Sequence, residues 1–172
     1  QFDLLLNTDQ SGGNNSQVLT LSTAPARTGA GVMTFSSQPN TNYNNTGLNA
    51  TTNVVRVAGA TATPAGQIIG PWATVGAWNS QQRDYAAYDG AGNVVAANGA
   101  RTQSDTTWTN ASNYYSIGDN SGTDQATTTN VTLTATRTIA ALRNVGNNDT
   151  LTLGTYNLYT SGILHGGRNP FY

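Results

Sequence analysis

The only histidine of this 172-residue chain, His165, stands in Ile163-Leu164-His165-Gly166-Gly167, and a Ser-His-Asp relay needs such a base between a nucleophile and an orienting acid. Eleven Ser and eight Asp supply partners in name, but no Gly-x-Ser-x-Gly elbow accompanies them. One histidine also excludes a metal site built on several imidazoles. Paired carboxylates for glycoside hydrolysis would have to be Asp, because the chain has no Glu. Asp84 and Asp89 are five residues apart, which on one extended strand sends their side chains to opposite faces. They therefore read as strand and turn residues. Gly118-Asp119-Asn120-Ser121-Gly122-Thr123-Asp124 is oxygen-rich, as calcium loops are, yet lacks both the EF-hand glycine at position six and the Gly-Gly-x-Gly-x-Asp nonapeptide. It reads as a solvated turn.

Aromatic faces could instead stack on sugar rings, since they pair apolar area with a polar tip. Trp72, inside an apolar segment, reads as core. Trp108, Tyr114 and Tyr115 lie in a polar stretch and are the set expected to be exposed. Six Asn-x-Ser/Thr sequons, at Asn14, Asn44, Asn49, Asn110, Asn130 and Asn148, are about what 21 Asn and 39 Ser plus Thr produce by chance, so they carry no weight. No residue is assigned a catalytic, cofactor-binding or metal-binding role.

The elements that would position any site follow from an unusual composition. Lys, Glu and Cys are absent, while Thr, Asn, Ala and Gly number 28, 21, 21 and 19. All seven cations are Arg and all eight anions Asp, so 9% of residues are charged, against ~25% in an ordinary domain. Thr, Asn and Gly favour strands and turns over helices. Without Cys there is no disulfide framework and no thiolate metal site. A net charge of −1, with Arg scattered from Arg27 to Arg168, argues against a nucleic-acid partner. It also leaves little charge repulsion between copies, which favours self-association. No apolar run approaches the ~20 residues of a membrane span; the richest, Ile68 to Trp78, is broken by Gly70, Pro71 and Gly76.

Short alternating segments recur about every ten residues. Strands are expected at Gln17–Ser22, Gly31–Ser36, Asn53–Ala58, Gln67–Val75, Asp84–Tyr88, Asn93–Ala97, Asn130–Ala135, Ile139–Val145, Thr150–Leu153 and Gly162–His165, with no long helix. Turn signals separate them, among them Asp89-Gly90, Gly92-Asn93 and Asn98-Gly99. Residues 1–50 alternate poorly and read as a loop-rich N-terminal part or cap. Residues 51–172 read as a β-solenoid repeat region with a polar excursion at about 101–128. Small inward residues and Asn/Thr corners suit a right-handed parallel β-helix, in which like side chains stack between coils. A β-sandwich is the alternative.

The ordered segments carry a resemblance. Gln67-Ile68-Ile69-Gly70-Pro71-Trp72-Ala73-Thr74-Val75, then Arg83-Asp84-Tyr85-Ala86-Ala87-Tyr88-Asp89-Gly90 and Val94-Val95, resemble the autotransporter-associated β-strand repeat proteins. Asn130-Val131-Thr132-Leu133-Thr134-Ala135, Ile139-Ala140-Ala141-Leu142-Arg143, Thr150-Leu151-Thr152-Leu153-Gly154 and Ser161-Gly162-Ile163-Leu164 continue it in order. The insertions at Ala77–Gln82 and 101–128 depart from that pattern. The resemblance implies a large bacterial secreted or surface protein whose repeats form a parallel β-helix, and it carries over no catalytic motif. The expected role is therefore a structural extracellular segment: stalk, adhesin, surface layer or filament subunit. A carbohydrate-binding module is the alternative, and a β-helix polysaccharide-degrading enzyme a more distant one. The expected partners are other copies or neighbouring repeats, met through the solenoid ends, and glycans.

Overall fold

The computed structural model describes residues 2–7, 17–38, 53–76, 84–99, 101–118, 128–144 and 148–165. The boundary expected near residue 50 and the calcium-like loop beyond Gly118 lie outside them. The described chain is all-β, its one helical element being a single 3-10 turn at Asp105–Thr107. It forms two compact units, residues 1–97 and 98–172.

In the first unit, strands β1 (Phe2–Asn7), β3 (Met33–Gln38) and β5 (Ala73–Val75) pair in parallel in that order. β2 (Gln17–Leu21) and β4 (Asn53–Val57) form a second parallel pair. Val, Phe and Ala point inward from these strands: Phe35, Val55, Val57, Ala73, Val75, Ala86 and Val94 make one buried cluster. Each buried Val contributes about 1.5–3 kcal/mol, and strands this short need several of them. A wholly parallel path is not what the structure contains. β6 (Asp84–Tyr88) runs antiparallel to both β5 and β7 (Val94–Ala96). For β6 and β7 the cause is local, because the turn Asp89–Asn93 reverses the chain within five residues, too short for a parallel crossover.

Gln67–Val75 is strand only over its last three residues. Pro71 offers no N–H and Gly70 turns the backbone, with Ala73 N–H donating to Gly70 C=O at 3.1 Å. The earlier half still lies against β6, through Ile69 N–H to Ala86 C=O at 2.8 Å.

The second unit repeats strands in threes. β10 (Asn130–Thr132), β11 (Arg137–Ile139) and β12 (Ala141–Asn144) are followed by β13 (Thr150–Thr152), β14 (Leu158–Thr160) and β15 (Ile163–His165). Each strand of the first trio pairs in parallel with its counterpart in the second. β8 (Arg101–Thr102) and β9 (Tyr114–Ile117) extend the β15-β12 ladder to four strands, ordered β15-β12-β9-β8. The stretch 101–128, expected as an excursion, thus supplies a central strand of a sheet. The alternation at Asn130–Thr134 matches burial: Val131 and Leu133 are inside, while Asn130, Thr132 and Thr134 are exposed. Their core partners are Trp108, Ile117, Ile139 and Leu142.

Gly92 shows how tightly the β6–β7 turn is specified. Its φ is +76°, and a Cβ there would lie 2.6 Å from the Val57 carbonyl oxygen. Gly92→Ala is expected to lower stability by more than the ~1–2 kcal/mol that left-handed backbone costs a side chain, because the collision adds to it. Gly90→Ala, two residues away with nothing within 4 Å of its Cβ, serves as the control. Equal urea midpoints for the two variants would contradict this account.

Candidate functional site

Of the aromatic set expected on the surface, Trp108 and Tyr114 are inside and Tyr115 is half-buried. Trp108 is 2% exposed and stacks on Tyr115, ring centroids 5.9 Å apart and 26° between planes. Tyr114 is equally buried, and its hydroxyl accepts the Gly99 N–H. The polar residues around them misled the reading. Ser104 caps the 3-10 turn, its hydroxyl accepting Thr106 N–H at 3.3 Å, and this turn points the next large side chain, Trp108, into the core. Trp72 packs against the core cluster of the first unit. Expected in the core, it is half-buried and lines an open depression.

The carboxylates hold turns. Asp84 is buried, and its Oδ1 accepts Tyr85 N–H at 2.7 Å. Burial first, and the Asp84 charge second, push the Tyr85 phenol well above its usual range. Asp89 Oδ1 accepts the N–H groups of Ala91 and Asn93 at 2.8 and 2.9 Å, while Oδ2 accepts from Asn93 Nδ2 at 2.8 Å. Asn93 in turn accepts from Arg56 Nε at 2.9 Å. Burial raises the Asp89 pKa, but these donors and the Arg56 charge outweigh it and leave the carboxyl below the usual range. One carboxylate therefore begins a strand and the other closes a turn, and each is held by nearby N–H donors.

His165 is exposed at the end of β15, 3.1 Å from the amide nitrogen of buried Asn144, its register partner on β12. The contact is one rung of a stack of side chains. Among the described residues, no group of three or more His, Asp, Glu or Cys side chains comes together as a metal site would require.

The most elaborate polar cluster was missed by sequence reading. Asp105, with no exposed side-chain area, takes Arg137 Nε at 2.8 Å and Thr134 N–H at 2.9 Å on Oδ2. Its Oδ1 accepts the Thr134 hydroxyl at 2.9 Å. Ser104 ahead of Asp105-Thr106-Thr107 is a capping signal that could have marked the turn; nothing local pointed to a partner 32 residues away. The cluster joins a turn to the β10–β11 corner and leaves no room for a ligand at the carboxylate.

Depressions among the described residues include the following pair. One, of about 280 Å³, is formed by the β2–β3 loop and Trp72. The other, of about 350 Å³, runs over the β11–β14 pair beside Thr138, Tyr159 and Thr160. No described helix is long and apolar enough to cross a membrane. No protein-family model matches the chain, and no curated protein or solved structure matches it either.

Proposed function

We propose that the chain is a structural β-solenoid segment of a bacterial secreted or surface protein, a stalk, adhesin, surface-layer or filament element without a catalytic role. The observation that carries this is the register of the second unit. Residues 130, 137 and 142 stand beside 150, 158 and 163, so three successive strands each meet the strand 20 or 21 residues further on. A near-constant offset on three ladders is what coils of equal length produce when they stack. The backbone-holding roles of Asp84, Asp89 and Asp105 also support a scaffold, because they commit scarce charged groups to main-chain donors. The resemblance to autotransporter-associated repeats supports an extracellular or cell-surface location.

Such a coil buries its apolar face only against another coil. Strands β13, β14 and β15 each have a partner on one side among the described residues, and Tyr159 and Ile163 are 58% and 56% exposed. The chain has no Lys with which natural edges are blunted. Copies or neighbouring repeats therefore associate through these edges. Light scattering is expected to show mass rising with concentration, and Tyr159→Lys with Ile163→Lys to reduce it. A monomer at every concentration would sink the scaffold reading in this form. Surface labelling of intact cells of the source organism tests the location, and exclusively internal chain would contradict it.

A further inference from the structure

The depression beside Trp72 has a chemistry that the scaffold proposal does not use. Its floor is fixed by the sheet: Met33 N–H donates to the Trp72 carbonyl at 2.8 Å, and Thr34 and Thr74 hydroxyls meet at 3.2 Å on adjoining strands. The indole lies against Gly70, where a Cβ would collide with its Nε1 and Cδ1. Glycine at that position is thus what lets the ring occupy this place. Apolar surface from Trp72, Met33, Val32 and Pro25 forms most of the lining, and Val32 is 48% exposed. Arg27 is the one charged side chain of the lining, and no carboxylate accompanies it. Among the described residues Arg27 has no ion-pair or hydrogen-bond partner.

The size of the depression, about 280 Å³, falls at the small end of ligand pockets, ~300–1,000 Å³, and so suits one ring rather than an extended peptide. An indole and an aliphatic shelf favour a flat, C–H-rich face. A lone guanidinium favours a carboxylate, which it can hold with two parallel N–H donors. Thr28 adds a hydroxyl to the lining, and the loop that carries it is exposed and turns at residues 29–30. That hydroxyl, beside the guanidinium, matches a ring bearing hydroxyls better than a bare aromatic acid. We infer that the depression formed by Arg27, Thr28, Val32, Met33 and Trp72 binds an acidic monosaccharide unit, a hexuronate, of a polysaccharide. The ring face lies on the apolar shelf and the carboxylate on Arg27. The inference stands independently of the solenoid proposal, since a scaffold of any β architecture could carry such a site.

Calorimetric titration of the full chain tests it, with glucuronate and galacturonate oligosaccharides, their neutral glucose and galactose counterparts, and benzoate as probes. Saturable binding of one of the uronates is expected, weaker by about tenfold or more for its neutral counterpart and for Arg27→Gln, which removes the charge but keeps an exposed polar chain. Gly70→Ala, which displaces the indole, is expected to weaken uronate binding while leaving β-sheet circular dichroism intact; Trp72→Leu is the second variant should that one fail to fold. Absence of saturable uronate binding overturns the inference, as does equal affinity for the neutral sugar or for Arg27→Gln. Tighter binding of benzoate than of either uronate overturns the assignment to a sugar.

Discussion

Replacing Asp105 with Ala is expected to cost about 3 kcal/mol of stability at neutral pH. That is the low end of the range for breaking a buried ion pair, since the Arg137 side chain keeps 16% of its surface in water. The loss comes from what is left behind. Arg137 Nε and the Thr134 N–H and hydroxyl all point at the carboxylate, and alanine offers none of them an acceptor. The same contacts set a pH dependence. Burial raises the Asp105 pKa, but the hydrogen bond from Arg137, those from Thr134 and the Arg137 charge outweigh it, so the carboxyl sits below its usual value in the folded chain. The unfolded chain, with an Asp pKa of about 3.9, then binds more protons in the window below pH ~4. The stabilisation is full above the unfolded value and is lost as pH falls through the folded one. Asp89 is depressed in the same direction and adds to the effect. Urea midpoints are expected to stay level from neutral pH to about 5 and fall below about 4, with a shallower fall in Asp105→Asn. An Asp105→Asn protein with an undiminished acid slope would remove the carboxylate from this role.

Trp108→Ala is expected to cost about 3–5 kcal/mol, as removal of a wholly buried aromatic usually does. The indole fills the centre of a cluster with Ile117, Val131, Leu133, Ile139 and Leu142, and alanine leaves a cavity that strands tied on both sides cannot close. Trp108→Phe separates shape from polarity. The Trp108 Nε1–H is buried without a partner, so phenylalanine loses some contact area but also removes an unsatisfied donor. Its cost is expected to fall well below that of Trp108→Ala, because the phenyl ring fills most of the space and the unsatisfied donor is gone. Thermal unfolding of both variants measures the contrast. If Trp108→Ala unfolds like the parent chain, the residue is exposed in solution, as sequence reading had it.

The polar stretch around Trp108 explains why that reading failed. Ser104, Asp105, Thr106, Thr107 and Asn110 each look solvated, and Ser104, Thr106 and Asn110 are exposed. Their polar atoms serve local turns, as where Asn110 Oδ1 accepts Ser112 N–H at 2.9 Å, and such turns can bury the aromatic between them. Hydrophilic neighbours in sequence therefore say little about the one large side chain among them. Trp72, expected in the core, packs against the buried cluster of the first unit but stays half-buried, because Gly70 and Pro71 turn the backbone just before it.

What the sequence determined alone was local. Alternating segments marked the strands at Asn53–Val57, Asp84–Tyr88 and Asn130–Thr132. The Asp89-Gly90 and Gly92-Asn93 punctuation marked the turn after Asp84–Tyr88, because strand pleat and left-handed turns are properties of a few adjacent residues. The absence of Lys, Glu and Cys likewise narrowed the chemistry before any fold was known. Which strands pair was decided only in three dimensions. Arg137 meets Asp105 across 32 residues, Trp72 meets the β2–β3 loop across about 40, and β5, β6 and β7 turn antiparallel beside parallel neighbours. The physical reason is that a backbone ladder accepts any strand of compatible length, so the choice among similar Thr- and Val-rich strands rests on core packing and turn length summed over the whole chain.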